Sequence, residues 1–204
     1  AQLAYTDLSD AYNVPRPDHI AVDENRGRVY VLDGSGLRVL DLAGNLLPGK
    51  GSGGDSLAVN PTNGRVYVGD ASPFVGHRDV VRVIDGPTLT TVKTVDLGTS
   101  IYFQSVSVAV NPATGYAYAT YTADDNLHII SPTTDDQVQE IDLGSAGLMA
   151  VNQITNRVYV QASSGGKAGV VILDGNSHAQ LGFFQSFPGQ IAVTGEQRDH
   201  IWTH

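Results

Sequence analysis

Short apolar runs alternate with polar turns along the whole chain, and the same pair of runs occurs five times. One copy begins with Leu57-Ala58-Val59, passes through a turn, and continues into Arg65-Val66-Tyr67-Val68. The last valine of the first run falls at positions 22, 59, 110, 151 and 193, so successive copies are 37, 51, 41 and 42 residues apart. The runs alternate with the period of a β-strand, and no segment keeps a helical period. Repeats of this kind predict an all-β chain, a β-propeller with almost no helix.

Each repeat divides into four strands. In the second repeat these are residues 56–59, 65–69, 80–84 and 90–95, separated by turns rich in Asn, Asp, Gly and Pro. Such residues favour hairpin turns because Gly and Asn tolerate a positive φ and Pro presets the first turn position. The third strands share a further pattern that starts at Leu37, Val81, Leu127 and Val170. A fifth copy of that pattern, at residues 3–7, lies near the beginning of the chain.

The last repeat reaches His204 after only two strands, and residues 3–7 and 11–14 supply the missing third and fourth strands. We therefore expect a single domain of five blades, formed by residues 16–53, 54–100, 101–146, 147–187, and 188–204 combined with 1–15. Closing the ring in this way removes two open sheet edges. The alternative is a segment of a six-, seven- or eight-bladed propeller, which would also begin and end in mid-blade. The matching ends favour the closed ring.

Residues 58–68, 108–118 and 150–160, together with the paired sequences at 83–86 and 172–175, resemble the YVTN family of β-propeller repeats. The resemblance extends from about residue 18 to residue 201. It implies a secreted or surface-layer-like propeller of a bacterium or archaeon, often part of a larger surface or periplasmic protein. Because that family includes adhesion, ligand-binding and redox-associated proteins, it does not select one function. Residues 199–203 are instead similar to virginiamycin B lyase-like and NHL-like propeller repeats.

Composition narrows the classes of function. The chain has no cysteine, which excludes disulfides, thiolate metal sites and covalently attached c-type haem. Its net charge of −9 argues against a nucleic-acid partner, which would need a basic surface. No run of about 18 apolar residues predicts a membrane span. The first residue, Ala1, is compatible with a mature terminus after signal-peptide removal, and equally with an arbitrary boundary. We expect an extracellular, cell-surface or periplasmic location.

Function is expected on one face of the propeller. First strands line the central channel, and the loops that lead into them share a face with the loops between second and third strands. The longest of these loops, residues 71–79, carries Phe74, His77 and Arg78, and inserted loops on a rigid repeat scaffold commonly bind ligands. The alternative is that Phe74 only covers the neighbouring blade. The further candidate ligand-binding residues on this face are His19, Asp55, Tyr102, Gln104 and Gln190.

A metal site is a weaker hypothesis. His19, His77 and His204 could converge with Asp18 and Asp55 to form a nitrogen and oxygen metal site or an acid–base pair. No short histidine spacing supports it. The acidic loops at 33–36, 124–126 and 135–136 suggest calcium, but none has the full ligand spacing of a calcium loop, and turn formation explains all three. We therefore predict no cofactor and keep calcium as an alternative.

The repeated third-strand aspartates and second-strand tyrosines are predicted to be structural. Asp7, Asp41, Asp85 and Asp174 end third strands before a turn, and Ser131 replaces them in the third repeat. The tyrosines at positions 30, 67, 118 and 159 are expected to fill space between strands or blades. His128, which stands where two other repeats have Arg38 and Arg82, is expected to be an exposed strand residue.

The sequence thus predicts a binding or structural module that presents loops on one face to a protein or glycan partner. Self-assembly, or a place within a larger surface protein, remains open. The alternative is a propeller enzyme of lyase or hydrolase type that uses a divalent metal near His19, Asp55 and His77.

Overall fold

The computed structural model describes residues 17–33, 35–71, 78–99, 105–121, 124–185, 191–193 and 201–203. Every regular element in these residues is a β-strand. Accordingly, this part of the chain contains no helix of the length and apolar character needed to cross a membrane. The predicted closing strands at 3–7 and 11–14 lie outside the described residues, and Ile20 and Val22 of the first strand are exposed. Closure of the ring therefore stays a prediction.

The strands form five antiparallel sheets in chain order, which we call blades 1 to 5. Blade 1 contains β1 (Pro17–Asp23), β2 (Arg28–Asp33) and β3 (Gly36–Asp41). Blade 2 contains β4 (Ser56–Val59), β5 (Arg65–Asp70), β6 (Arg78–Asp85) and β7 (Thr90–Thr99). Blade 3 contains β8 (Val106–Val110), β9 (Ala117–Tyr121), β10 (Asn126–Ile130) and β11 (Gln137–Asp142). Blade 4 contains β12 (Ala146–Asn152), β13 (Arg157–Ser164), β14 (Lys167–Asp174) and β15 (Gln180–Gln185), and the described part of blade 5 contains β16 (Ile191–Val193) and β17 (Ile201–Thr203).

Blade 1 differs from the predicted four-stranded pattern. After β3 the chain makes only two isolated bridges to that strand, between Leu37 and Gly51 and between Leu40 and Leu46. Pro48 has no N–H to donate to a ladder, and Gly49 has a φ of 108°. The segment therefore follows the edge of the sheet without forming a continuous fourth strand.

The first strands β1, β4, β8, β12 and β16 lie beside one another in that order, as the inner strands of a propeller do. Neighbouring blades then face each other across apolar layers. Tyr30 belongs to one such layer together with Val66, Val68 and Ile84 of blade 2. Blades 2 and 3 therefore have an apolar layer on each of their two faces.

A second-strand tyrosine fills each of these layers, as the sequence predicts. The side chains of Tyr30, Tyr67, Tyr118 and Tyr159 are fully buried. Each tyrosine lies opposite an alanine of the first strand, and the fifth blade keeps this register with Trp202 opposite Ala192. Burial raises the pKa of Tyr67 to about 12, so its hydroxyl stays neutral. The prediction that the tyrosines pack between blades is confirmed for Tyr30, Tyr67 and Tyr118, which belong to apolar layers shared with the next blade.

The turn between first and second strands is the same in blades 2 to 4. Its first residue is a buried asparagine whose Oδ1 accepts a hydrogen bond from the backbone N–H two residues later; these residues are Asn60, Asn111 and Asn152. Such Asx turns let the side chain replace a backbone acceptor. Asp23 occupies the same position in blade 1 and accepts from the N–H of Arg26.

These turns also connect the blades. The Nδ2 of Asn60 donates to the carbonyl oxygen of Gly115 in blade 3 over 2.9 Å, and the Nδ2 of Asn111 donates to the Oδ1 of Asn156 in blade 4 over 2.7 Å. In blade 1, the guanidinium of Arg26 performs this role by donating to the carbonyl oxygen of Pro61 over 2.9 Å. The hydrogen-bonded turns therefore fix the blades to each other at one end of the propeller.

The repeated aspartate at the end of the third strand also forms a turn. The Oδ1 of Asp41 accepts from the N–H groups of Ala43 and Asn45, and the Oδ1 of Asp174 accepts from those of Asn176 and Ser177. The side-chain bond from the Nδ2 of Asn45, together with these backbone bonds, lowers the pKa of Asp41, and the bonds from Ser177 and Asn176 lower that of Asp174. The structural interpretation of the repeated aspartates is confirmed at the described positions.

We predict that Gly86→Ala destabilises the protein because the added methyl group meets the Tyr30 hydroxyl and lies 2.6 Å from the carbonyl oxygen of Gly64. Overpacking of this kind costs roughly 1–3 kcal/mol of unfolding free energy. Gly182→Ala is the matched control because its methyl group has no neighbour within 4 Å. Urea denaturation measures the unfolding free energy of both variants. Equal midpoints would show that the close packing of Tyr30 against Gly86 does not affect stability.

Candidate functional site

One end of the propeller carries the loops that the sequence associates with function, and we call it the mouth face. It consists of the described residues of the hairpins that follow the second strands, after Asp33, Asp70, Tyr121 and Ser164, and of the described residues that lead into the first strands. Neighbouring loops on this face contact one another. The guanidinium of Arg82 donates to the carbonyl oxygen of Gly53 over 3.0 Å, and the N–H of Ala146 donates to the carbonyl oxygen of Asp124 over 3.3 Å.

An acid and a base face each other at this end of three blades. Asp33 lies 3.4 Å from the guanidinium of Arg38, and Asp70 forms a close ion pair with Arg82. In blade 3, the Oδ2 of Asp124 lies 2.7 Å from the Nε2 of His128. Strand register places the basic residue at the same position of the third strand each time. The pair is thus a repeated feature of the mouth face.

The prediction that His128 is exposed is wrong. Its side chain is 1% exposed, with Asp124 on one ring nitrogen and Gln137 on the other. The ring also stacks on Tyr121 with centroids 6.0 Å apart. The third-strand pattern revealed that His128 replaces an arginine, but its partners come from a loop and from the next strand, which strand periodicity does not identify.

Blade 4 lacks the pair. The register positions that hold Asp70 and Arg82 in blade 2 hold Ala162 and Val171 in blade 4. Beside them is a partly open hollow of about 230 Å³. In the described part of the chain it is lined by small and uncharged residues, namely Ser145, Ala146, Gly147, Gln161, Ala162, Ala168 and Gly169. Sites that enclose drug-sized ligands measure about 300–1,000 Å³, so this hollow has room for a single side chain or a small group.

The hollow has acidic neighbours. Asp125 and Asp142 are exposed on blade 3, and Asp142 lies three residues before Ser145. The carbonyl oxygen of Asp125 accepts from the N–H of Leu143 over 2.7 Å, which ties the hairpin to the loop that leads into β12. Among the residues that the structure describes, neither carboxylate has an ion-pair partner. A basic group on a ligand could therefore be attracted to this rim.

Two of the predicted site residues do lie near each other. Asp55 is partly buried, and its Oδ2 accepts a hydrogen bond from the N–H of Ala71 over 2.7 Å. Burial raises the pKa of Asp55, the bond from Ala71 opposes that effect, and nearby Asp70 adds to it. His19 is exposed and close enough to lower the same pKa electrostatically. The structure thus brings together the His19 and Asp55 of the predicted set.

The other predicted residues are either elsewhere or not described. The guanidinium of Arg78 is 67% exposed and pairs with Asp96 of the outermost strand β7. Residues outside the described part of the chain are Phe74, His77, Tyr102, Gln104, Gln190 and His204, and the side chain of Asp18 is not described either. Their roles stay predictions.

Four carboxylates of the acidic loops proposed for calcium, those of Asp33, Asp124, Asp135 and Asp136, have internal partners. The Oδ1 of Asp33 accepts from the N–H and hydroxyl of Ser35, and Asp135 and Asp136 form ion pairs with Arg65 and Lys93. Turn formation and ion pairing therefore account for these carboxylates. Within the described ranges, no three His, Cys, Asp or Glu side chains form a group that could hold a metal ion.

Comparisons with known proteins show the fold. No family model matches the sequence, and no curated protein matches it. The structure is similar to hydrazine synthase from Kuenenia stuttgartiensis, with a TM-score of 0.70, 16% identity, and coverage of 94% of this chain and 56% of that one.

Two further similar structures are themselves named as propellers. For the β-propeller domain of Cps50 (Swd1) from Myceliophteria thermophila, the TM-score is 0.61 at 10% identity, covering 88% of this chain and 59% of that one. For the Dos1 propeller, it is 0.60 at 14% identity, covering 87% and 49%. The chain thus spans about half the length of these three structures. At such identities the likeness shows the fold alone, and the chain has the fold of a β-propeller.

We predict that the pKa of Asp55 is higher than that of an ordinary aspartate and that the pKa of Asp174 is lower. Burial raises the pKa of Asp55, whereas backbone N–H bonds from Ser177 and Asn176 lower that of Asp174. The folded state therefore loses stability through Asp55 as the pH rises towards the raised pKa, and through Asp174 as the pH falls through the lowered one. Carboxyl ¹³C NMR measures both, with Asp55→Asn to assign the first. The opposite order of the two pKa values would contradict this account.

Proposed function

We propose that this chain is a protein-binding module that uses its mouth face, with the blade 4 hollow receiving an apolar side chain of the partner. The observation that carries the proposal is the replacement of the acid–base pair by Ala162 and Val171, beside a hollow of about 230 Å³. Bound partners commonly place an anchoring side chain in such a pocket. The propeller supplies a rigid frame, and function on propellers resides in their loops.

The acidic charge of this chain favours a partner with basic residues next to the anchoring side chain. Asp125 and Asp142 are exposed on segments that adjoin the loop lining the hollow, and the chain as a whole carries a net charge of −9. Electrostatic complementarity chiefly accelerates association and selects the partner. We therefore expect a polypeptide with an apolar residue next to lysine or arginine. An extracellular, cell-surface or periplasmic location belongs to the same proposal and is supported by the resemblance of the repeats to surface-layer-like propellers.

The first test fills the hollow. Ala168 is exposed at its edge, so Ala168→Leu occupies the space without entering the core. Peptides selected from a random display library on the native protein should share an apolar residue next to a basic one, and Ala168→Leu should weaken their binding at least tenfold in calorimetry. The matched control is Ala113→Leu, since Ala113 is exposed at the opposite end of the propeller.

The remaining controls are the dependence of association on ionic strength and a test of glycan binding. Asp125→Asn removes one rim charge with little change in shape and should slow association, with a smaller dependence on ionic strength. Unchanged peptide affinity in Ala168→Leu, or binding that is confined to a glycan array, would overturn the protein-binding proposal.

A second candidate function rests on the closeness of His19 and Asp55. A lyase- or hydrolase-type propeller could use these groups and His77 with a divalent metal, and the raised pKa of Asp55 suits a group that holds a proton. We expect Mn²⁺ to broaden the NMR signals of Asp55 and His19 at a stoichiometry of one, and His19→Ala to remove this saturable effect. Glu24→Ala, an exposed carboxylate at the opposite end, should leave it unchanged. Absence of saturable broadening in the native protein would eliminate this candidate.

A further inference from the structure

Both ring nitrogens of His128 face hydrogen-bond acceptors. The Nε2 lies 2.7 Å from the Oδ2 of Asp124, and the Nδ1 lies 2.9 Å from the Oε1 of Gln137. The orientation of the Gln137 amide is fixed because its Nε2 donates to the Oε1 of Glu140 over 2.6 Å. A carboxylate and an amide oxygen only accept hydrogen bonds, so both ring nitrogens must donate. Only the imidazolium form does so.

The charged groups around the ring are acidic. Glu140 reaches within 3.5 Å of the Nδ1 from the neighbouring strand β11, and Asp124 precedes β10. From β9, Tyr121 stacks on the ring. Burial raises the pKa of Tyr121, and Asp124, Asp79 of β6 and Glu140 raise it further, so three carboxylates act on this small region.

The other two blades with this pair use arginine. Arg38 and Arg82 occupy the same register position and stay charged at every pH at which proteins fold. Histidine, in contrast, changes its charge near neutral pH. Of the three described clamps on the mouth face, the one in blade 3 alone can therefore be switched off by losing a proton.

We propose that His128 is a protonation-dependent clamp that holds Asp124 and Asp125 and, through them, the wall of the blade 4 hollow. Loss of the proton leaves one ring nitrogen facing an acceptor without a hydrogen between them, and removes the charge opposite Asp124. The hold on Asp124 is then weakened. The clamp is complete while the ring is charged and is lost as the pH rises.

Backbone contacts carry the effect to the hollow. The carbonyl oxygen of Asp124 accepts from the N–H of Ala146, which lines the hollow, and that of Asp125 accepts from the N–H of Leu143. Movement at Asp124 and Asp125 therefore releases the loop that leads into β12. The clamp itself follows from these contacts, whereas its effect on partner binding rests on the proposed function.

The clamp is tested in the free protein. Ring ¹⁵N NMR at pH 6 should show both nitrogens of His128 carrying hydrogen. Between pH 6 and pH 9, the hydrogen-exchange protection factors of the Leu143 and Ala146 amides should fall at least threefold, while that of Leu47, which donates to the carbonyl oxygen of Val39 in blade 1, should not change. A neutral ring at pH 6, or constant protection at Leu143 and Ala146, would overturn the proposal without the need for any variant.

Two variants separate charge from packing. His128→Arg restores the residue of the sister blades and should give protection that no longer depends on pH, and His128→Gln should give low protection at both pH values. Persistent pH dependence in either variant would show that another group titrates. Peptides that bind through the hollow should lose affinity at pH 9 in the native protein but not in His128→Arg. Failure to find any such peptide would refute the proposed function and leave the free-protein result standing.

Discussion

Packing of a buried tyrosine between neighbouring blades is the constraint on which the rest of the structure depends. A four-stranded sheet has two apolar faces and cannot bury either alone, so each blade needs its neighbours. Tyr30, Tyr67 and Tyr118 fill the space between successive blades, and the absence of a side chain at Gly86 leaves room for the Tyr30 hydroxyl. The stability of any blade is therefore linked to the blades beside it, as expected of a repeat architecture.

The two ends of the propeller have different roles, because one end connects the blades and the other carries the acid–base pairs. At one end, buried Asx turns satisfy their own backbone and reach the next blade through Asn60 and Asn111. This end leaves little freedom to vary, because these buried asparagines are bonded both to their own turn and to the next blade. At the mouth face, the acid–base pairs lie outside the tyrosine layers. Replacing a pair with Ala162 and Val171 therefore changes the surface of blade 4 while its core remains closed.

Local chemistry explains why the strands could be predicted and the site could not. The predicted first strand at 56–59 agrees with β4, and the third strand, predicted at 80–84, is β6 (Arg78–Asp85), because alternation and turn residues act over a few positions. The burial of His128 depends on Asp124 and Gln137, which strand alternation does not connect. The hollow is an unfilled volume, and the sequence hints at it only through the missing base at position 171. The roles of Phe74 and His77 stay predictions.

Departures from the repeat are therefore more informative than the repeat itself. Residues that recur in every blade are accounted for by folding, since each blade must make the same turns and fill the same layers. His128 and Ala162 break the pattern in adjacent blades, on the same face, and are linked through the bond from Ala146 to Asp124. The proposed binding of a partner at the mouth face would account for two linked exceptions at one place.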